Sequence, residues 1–238
     1  MAIEFDSGAI SPPGRLWAHC PLHPQAGYNP SRGLSAESVI AATIARGARL
    51  ITGVRARWIG CEPADTRRIY FANHTSHLDF ILLWSVLPAR FRRKTRPVAA
   101  HDYWKSGTLR RYLAKHVFRS VLVERGCSDR SINPIVPMLA ALDRDESLVV
   151  FPEGTRGTGE ALLPFKSGIF NVVCEQRNLE LVPVWIDNAF RAMPKGSLLP
   201  MPLLCTVTFG PPTRIAGNEE RTHFLDRLRQ SLMDLKNA

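Results

Sequence analysis

A histidine and an aspartate stand five residues apart, His74 and Asp79, in the run Asn73-His74-Thr75-Ser76-His77-Leu78-Asp79. A carboxylate bonded to one imidazole nitrogen fixes the tautomer and leaves the other nitrogen to take a proton. Such a pair is a general base, worth roughly 10²- to 10⁴-fold in rate. No neighbouring Ser, Cys or Lys is set up as a covalent nucleophile, so the group for His74 to deprotonate is a substrate hydroxyl. The same run also reads as a plain helix-capping turn, with Ser76 as the cap. His77 and His74 have no third ligand near them, so no metal site is expected.

A second polar turn, Phe151-Pro152-Glu153-Gly154-Thr155-Arg156-Gly157, follows an apolar strand directly. Its glycines allow backbone amides to approach a ligand closely. Arg156 offers a two-pronged fork suited to phosphate. Lys166 precedes the next helix and is a further phosphate contact on this reading. The bland alternative is a solvated Gly-rich turn with a Glu–Arg surface pair. The order of residues is not that of a nucleotide-binding P-loop.

These turns need a scaffold. Residues 1–34 are rich in Pro and Gly and read as an irregular leader. Ser35 caps a helix signal in which Ile40, Ile44, Ile51, Val54 and Trp58 share a face, with Arg46, Arg49 and Arg57 roughly opposite. Residues 35–60 are therefore expected to form one basic amphipathic helix, which suits packing on its own domain or lying in a lipid interface. We expect that it touches lipid. From Arg68 onward strand and helix signals alternate. Strands are expected at Arg68–Ala72, Pro97–Ala100, Ser120–Val123, Ser147–Phe151, Leu181–Ile186 and Leu203–Phe209. Helices are expected at Leu78–Leu87, from Asn133 to Leu142 and at Gly168–Gln176. A last one is capped by Asn218, with Leu225, Leu228, Leu232 and Leu235 on a stripe. Alternation of this kind implies an α/β sheet domain over residues 61–238.

The two polar turns together resemble the motifs of the glycerolipid acyltransferases, of the lysophosphatidic acid acyltransferase type. Asn73, His74 and Asp79 match NHxxxxD in register. Phe151–Arg156 match FPEGTR without a change. Ser120–Arg125 is similar to the family's strand ending in Arg, with Arg125 as the counterpart and Arg119 as the alternative. Leu181-Val182-Pro183-Val184 is similar to its fourth, proline-containing strand. The resemblance covers residues 68–212. It implies a single acyltransferase domain with a central mixed sheet flanked by helices. It also implies His74 as base, Asp79 as its orienter, and Arg125, Glu153, Gly154, Thr155 and Arg156 around the acceptor. Asn73 and Ser76 would shape the turn, and Pro183 the acyl-donor side. The implied reaction passes a fatty acyl group from acyl-CoA or acyl carrier protein to the hydroxyl of 1-acylglycerol-3-phosphate, giving phosphatidic acid. It needs no cofactor.

Composition fits amphiphilic, anionic substrates. The formal charge of +10 favours polyanions. Leu82, Leu83 and Trp84 suit core packing behind the His–Asp turn, or an acyl slot. The basic run Arg92–Arg96 suits a solvated loop, or anionic headgroups. No helix-turn-helix or aromatic-basic strand motif supports nucleic-acid binding. No apolar run reaches the roughly 18 residues of a membrane span, and no signal-peptide pattern opens the chain. The five cysteines lack C-x-x-C spacing, which points to a reducing setting. A peripheral place on the cytoplasmic face of an anionic membrane is the expectation. Two alternatives stay open: another lysolipid acceptor, such as a lyso-ornithine lipid, and a lipid-binding protein without catalysis. The intact His–Asp pair speaks against the second.

Overall fold

The structure is a computed structural model that describes residues 35–100, 107–124, 133–159, 161–192 and 203–238. The described residues lie within one compact unit, Leu34–Ala238. The expected leader and Arg125 lie outside the described residues.

The first helix, α1 (Ala36–Thr52), starts where Ser35 Oγ accepts from the Ser38 amide, at 3.3 Å. It stops at Gly53, whose φ of 55° is left-handed and costs a glycine little. The expected helix over 35–60 is thus cut short. Arg55–Trp58 forms strand β1 instead, at the edge of the sheet. The stripe is divided as well. Ile40 and Ile44 pack on Ala45, Trp84, Val117 and Phe118, whereas Val54 and Trp58 join a separate core. Only Ile51 of the stripe is exposed. Periodicity misled here because an edge strand simply continued the apolar spacing of the helix.

The remaining elements follow in order. They are β2 (Arg68–Ala72), α2 (Asp79–Val86), α3 (Ala89–Arg92), β3 (Thr95–Ala100) and α4 (Thr108–Tyr112). The last runs into a wider π-type turn, Leu113–Val117. Then come β4 (Val121–Val123), α5 (Val136–Asp143), β5 (Ser147–Val150), α6 (Gly168–Glu175), β6 (Glu180–Asp187), α7 (Ala189–Ala192), β7 (Thr206–Phe209) and α8 (Arg221–Lys236). The seven strands make one mixed sheet in the order β1-β7-β6-β2-β5-β3-β4. Every pairing is parallel except β6 with β7. Helix α8 follows Glu220, not the expected Asn218 cap, and buries Phe224, Leu228, Leu232 and Leu235. Leu225 is only partly buried.

The core lies on both faces of the sheet. One cluster joins Ile69, Phe71 and Leu148 to α5, α6 and α8. The other joins Tyr70, Val149 and Val182 to Leu82 and Leu83 of α2. Strand β2 is buried along its whole length, between β5 and β6. A strand covered on both faces is apolar at every position, as Ile69-Tyr70-Phe71-Ala72 is. Because β2 and β5 are adjacent and parallel, the turns leaving their C-terminal ends must meet. That is where open α/β sheets hold their ligands. The two polar turns are those turns.

Candidate active site

His74 leaves the end of β2, and Asp79 opens α2. Their spacing lets the carboxylate fold back onto the turn. His74 Nδ1 lies 2.9 Å from Asp79 Oδ2. The same oxygen accepts from the amides of Thr75 at 2.6 Å and Ser76 at 2.8 Å. An oxygen that already takes two N–H donors is an acceptor, so the proton between it and Nδ1 sits on the ring. The Nε2 nitrogen then carries the lone pair. Asp79 is fully buried, while the imidazole keeps 22% of its surface open. The geometry fixes the orientation of the imidazole and leaves part of the ring open to solvent.

The other expected turn residues serve the frame. Asn73 is buried, and its side chain acts as a surrogate backbone. Its Nδ2 donates to Ile186 O at 3.0 Å, and its Oδ1 accepts from Ile186 N at 2.7 Å. These bonds continue the β2–β6 ladder one step past the last paired residues. Ser76 is buried too, and its Oγ accepts from Leu78 N at 3.3 Å. It supports the turn, as Asp79 does through the Thr75 and Ser76 amides, and α2 begins without a side-chain cap.

The second turn holds the first by its main chain. Glu153 is 2% exposed. Its Oε1 accepts from His74 N at 2.8 Å, and its Oε2 from Leu163 N at 2.9 Å. Gly157 N donates to His74 O at 2.8 Å. Both backbone groups of the histidine are therefore fixed by residues 153–157. Phe151 stacks on the imidazole, with centroids 4.3 Å apart. Burial raises the Glu153 carboxyl above its ordinary value, and the two amides only partly offset this. Glu153 was expected against the acceptor. It is turned inward, with an oxygen on each of two amides, and it positions His74.

The residues facing outward are Thr155, which is exposed, and Arg156, which is half-buried. Gly154 has a φ of 70°, and a Cβ there would come 3.3 Å from Lys166 Cγ. The aliphatic stem of the exposed Lys166 therefore lies beside the turn at Gly154. His77 is held below its ordinary value by partial burial first, and then by the charges of Arg156, His74 and Arg110. Positive charge from Arg156 and Arg110 thus reaches the neighbourhood of His77.

Three expectations fare differently. Arg119, the alternative to Arg125, sits 3.3 Å from Glu146 at the opposite end of the sheet, beside the buried Arg96–Glu146 pair. Pro183 lies inside β6, opposite Phe71, and abuts the space beside Gly210 together with Leu235. Its carbonyl accepts from Gly210 N on the β7 side. The missing N–H falls on that side as well, just beyond the last β6–β7 pair, so the β2 ladder loses nothing. Pro183 is thus a buried residue within the sheet. Leu82, Leu83 and Trp84 are core residues as well.

Phe151 enters the sequence reading only as the first residue of the FPEGTR match, without a role, and Arg110, whose charge reaches His77, was not singled out. An apolar residue ending a strand looks like core. Arg110 lies in a short helix whose distance from His77 no local pattern encodes.

Comparison with known proteins agrees with this architecture. A family model described as Acyltransferase matches residues 59–187. The 1-acyl-sn-glycerol-3-phosphate acyltransferase of Cocos nucifera is 29% identical over 198 residues, covering 77% of this chain and 61% of that protein. The protein of the same name from Helicobacter pylori is 28% identical over 148 residues, covering 59% of this chain and 56% of that one. Three plant proteins of this name are matched over only 61%, 56% and 52% of their own length. The crystal structure of the 1-acyl-sn-glycerophosphate (LPA) acyltransferase PlsC from Thermotoga maritima superposes with a TM-score of 0.63 at 20% identity. The match covers 84% of this chain and 80% of that one, and the shared feature is the fold.

Proposed function

The chain belongs to the acyltransferase family, and from that premise we propose that it transfers a fatty acyl group from an acyl thioester to the free hydroxyl of 1-acylglycerol-3-phosphate, giving phosphatidic acid. The donor is acyl-CoA or acyl carrier protein, taken as a substrate, and no cofactor or metal takes part. The observation that carries this reading is the 2.9 Å contact between His74 Nδ1 and Asp79, which leaves Nε2 as the base. Nε2 takes the acceptor's hydroxyl proton as the oxygen attacks the thioester carbonyl. The tetrahedral intermediate collapses, the carbon–sulfur bond breaks, and the departing thiolate takes the proton back from the imidazolium. Asp79 stabilises that imidazolium while it exists. Arg156 and Lys166 meet the acceptor phosphate, and Arg125 joins them on the strength of the motif alone.

No helix among the described residues is long and apolar enough to cross a membrane. On this reading the protein works as a peripheral protein on the cytoplasmic face of an anionic membrane. The test is transfer of a labelled acyl group to lysophosphatidic acid on vesicles, by the wild type and by His74→Ala. Formation of phosphatidic acid by the first and not by a folded second is the expected result. Equal activity in both would remove His74 from the mechanism. Transfer to a lyso-ornithine lipid alone would change the acceptor and keep the chemistry.

A further inference from the structure

Exposed apolar side chains are common singly, and their placement is what carries meaning. At the C-terminal tip of α1, Leu50 is 85% and Ile51 47% exposed. Just before β7, Leu204 is 71% exposed. These segments are joined. A Cβ at Gly53 would lie only 2.6 Å from Leu204 Cδ2, so Leu204 sits on the end of α1. Cys205 N donates to Thr52 O at 3.1 Å. Asn188 Nδ2 donates to Leu204 O at 3.0 Å, tying in the start of α7. On α7, Phe190 is partly exposed and borders Gly159 and Thr75, next to the catalytic turn. Since β7 runs against β6, its start lies at the end of the sheet where β2 finishes. The apolar run therefore leads from the tip of α1 to the edge of the His74 turn. Exposed Arg46 stands one turn before Leu50 on α1, and exposed Arg55 opens β1.

We propose that Leu50, Ile51, Leu204 and Phe190 form a ledge that docks on an anionic phospholipid bilayer and seats His74 at the level of the headgroups. The proposal rests on the reading of the site as a lysolipid acyltransferase. A bilayer is the occupant favoured by the chemistry. Aliphatic side chains that protrude suit the boundary of headgroups and acyl chains, and arginines beside them meet lipid phosphates. An acceptor hydroxyl in the headgroup layer then reaches Nε2 without leaving the membrane. This ledge differs from the stripe expected on α1, because Ile40 and Ile44 are used for packing inside the protein.

The test is co-sedimentation with vesicles of phosphatidylcholine and phosphatidylglycerol, using the full chain and the double variant L50S/L204S. Both side chains are mostly in solvent, and circular dichroism checks that the fold is kept. Losing two interfacial leucines lowers vesicle partitioning roughly tenfold to a hundredfold. Activity on vesicle-borne acceptor falls with it, while kcat/KM for a short-chain, monomeric lysophosphatidic acid stays within about twofold. Leu204→Phe retains an apolar tip and retains binding. Unchanged partitioning of the double variant overturns the proposal. So does unchanged partitioning with weakened binding of acyl carrier protein, which would reassign the ledge to a protein partner. If the wild type acylates no lysolipid, the functional reading fails, and the sedimentation result still decides the docking surface.

Discussion

The sharpest perturbation is Glu153→Gln, because two accounts of this residue predict different kinetics. In the structure each carboxylate oxygen holds one amide, that of His74 or that of Leu163. Gln keeps one carbonyl oxygen and turns an NH2 group toward the other amide. One charge-assisted bond becomes a donor facing a donor, and the other becomes neutral. Hydrogen bonds to charged groups contribute about 1.5–3 kcal/mol, and a buried donor left without a partner costs about 1–3 kcal/mol. A destabilisation of about 2–3 kcal/mol follows, or about 5–10 °C in Tm for a chain of this size. Release of the His74 amide also lets the imidazole drift. A displacement near 1 Å costs roughly a hundredfold in rate. The expected outcome is kcat down roughly a hundredfold, with acceptor KM within about threefold. The assay is steady-state acyl transfer with acceptor varied at saturating donor, alongside thermal unfolding. A raised acceptor KM with unaltered kcat and Tm would refute the reasoning and return Glu153 to the acceptor.

Acidity gives the same variant a second signature. Burial holds the Glu153 carboxyl above its ordinary value of 4.5. A group whose folded pKa is raised binds its proton more tightly in the native state. Its contribution is therefore most favourable below the unfolded value and declines as pH rises through the folded one. The Gln side chain does not titrate. The stability advantage of the wild type over the variant should thus narrow as pH is raised from about 4 toward 7, in denaturant melts run across that range.

Other predictions address single features. Asp79→Asn keeps an acceptor for the two turn amides but loses the charge that steadies the imidazolium, so kcat should fall roughly 10²- to 10⁴-fold while the fold survives circular dichroism. Gly154→Ala forces an L-residue to a φ of 70° and presses on Lys166. It should cost about 1–3 kcal/mol in urea unfolding and raise KM for the phosphate-bearing acceptor. Arg227 donates to Glu219 at 2.7 Å and holds its carboxyl at about 2. That depressed pKa adds stability above the unfolded value, lost as pH falls through about 2. Arg227→Met should therefore cost about 1 kcal/mol in melts at neutral pH, and progressively less toward pH 2.

How much of this was legible in the sequence depends on whether neighbours in the chain or neighbours in space decide. Strand β2 was legible to the residue, since the unbroken apolar run Ile69–Ala72 of a buried parallel strand stands between Arg68 and the polar turn at Asn73. The His74–Asp79 pair was legible because the contact spans five residues at a strand-to-helix junction. The β1 edge strand was not, because Arg55–Trp58 pairs with residues about 150 positions later, and its own pattern extends α1. The orientation of Glu153 was hidden for a similar reason. A glutamate beside an arginine in a Gly-rich turn reads as a solvated pair, and only the adjacency of β2 and β5 turns it onto the amide of His74.

That adjacency explains why two motifs some 75 residues apart act as one device. A base on a turn is only as well placed as its main chain. The His74 amide and carbonyl would otherwise be held by water, at the open end of a sheet. Glu153 takes the amide, Gly157 takes the carbonyl, and Phe151 covers a ring face. Asp79 fixes the ring nitrogen from the other side. The histidine is thus fixed at its backbone by one turn and at its side chain by the other. The outward half of the second turn, Thr155 and Arg156, takes no part in holding His74, and on the proposed function it is left for the acceptor. Removing Glu153 and removing Asp79 should then both lower kcat through the same imidazole. In the double variant their effects should fall short of additive, because a ring already adrift has little left to lose.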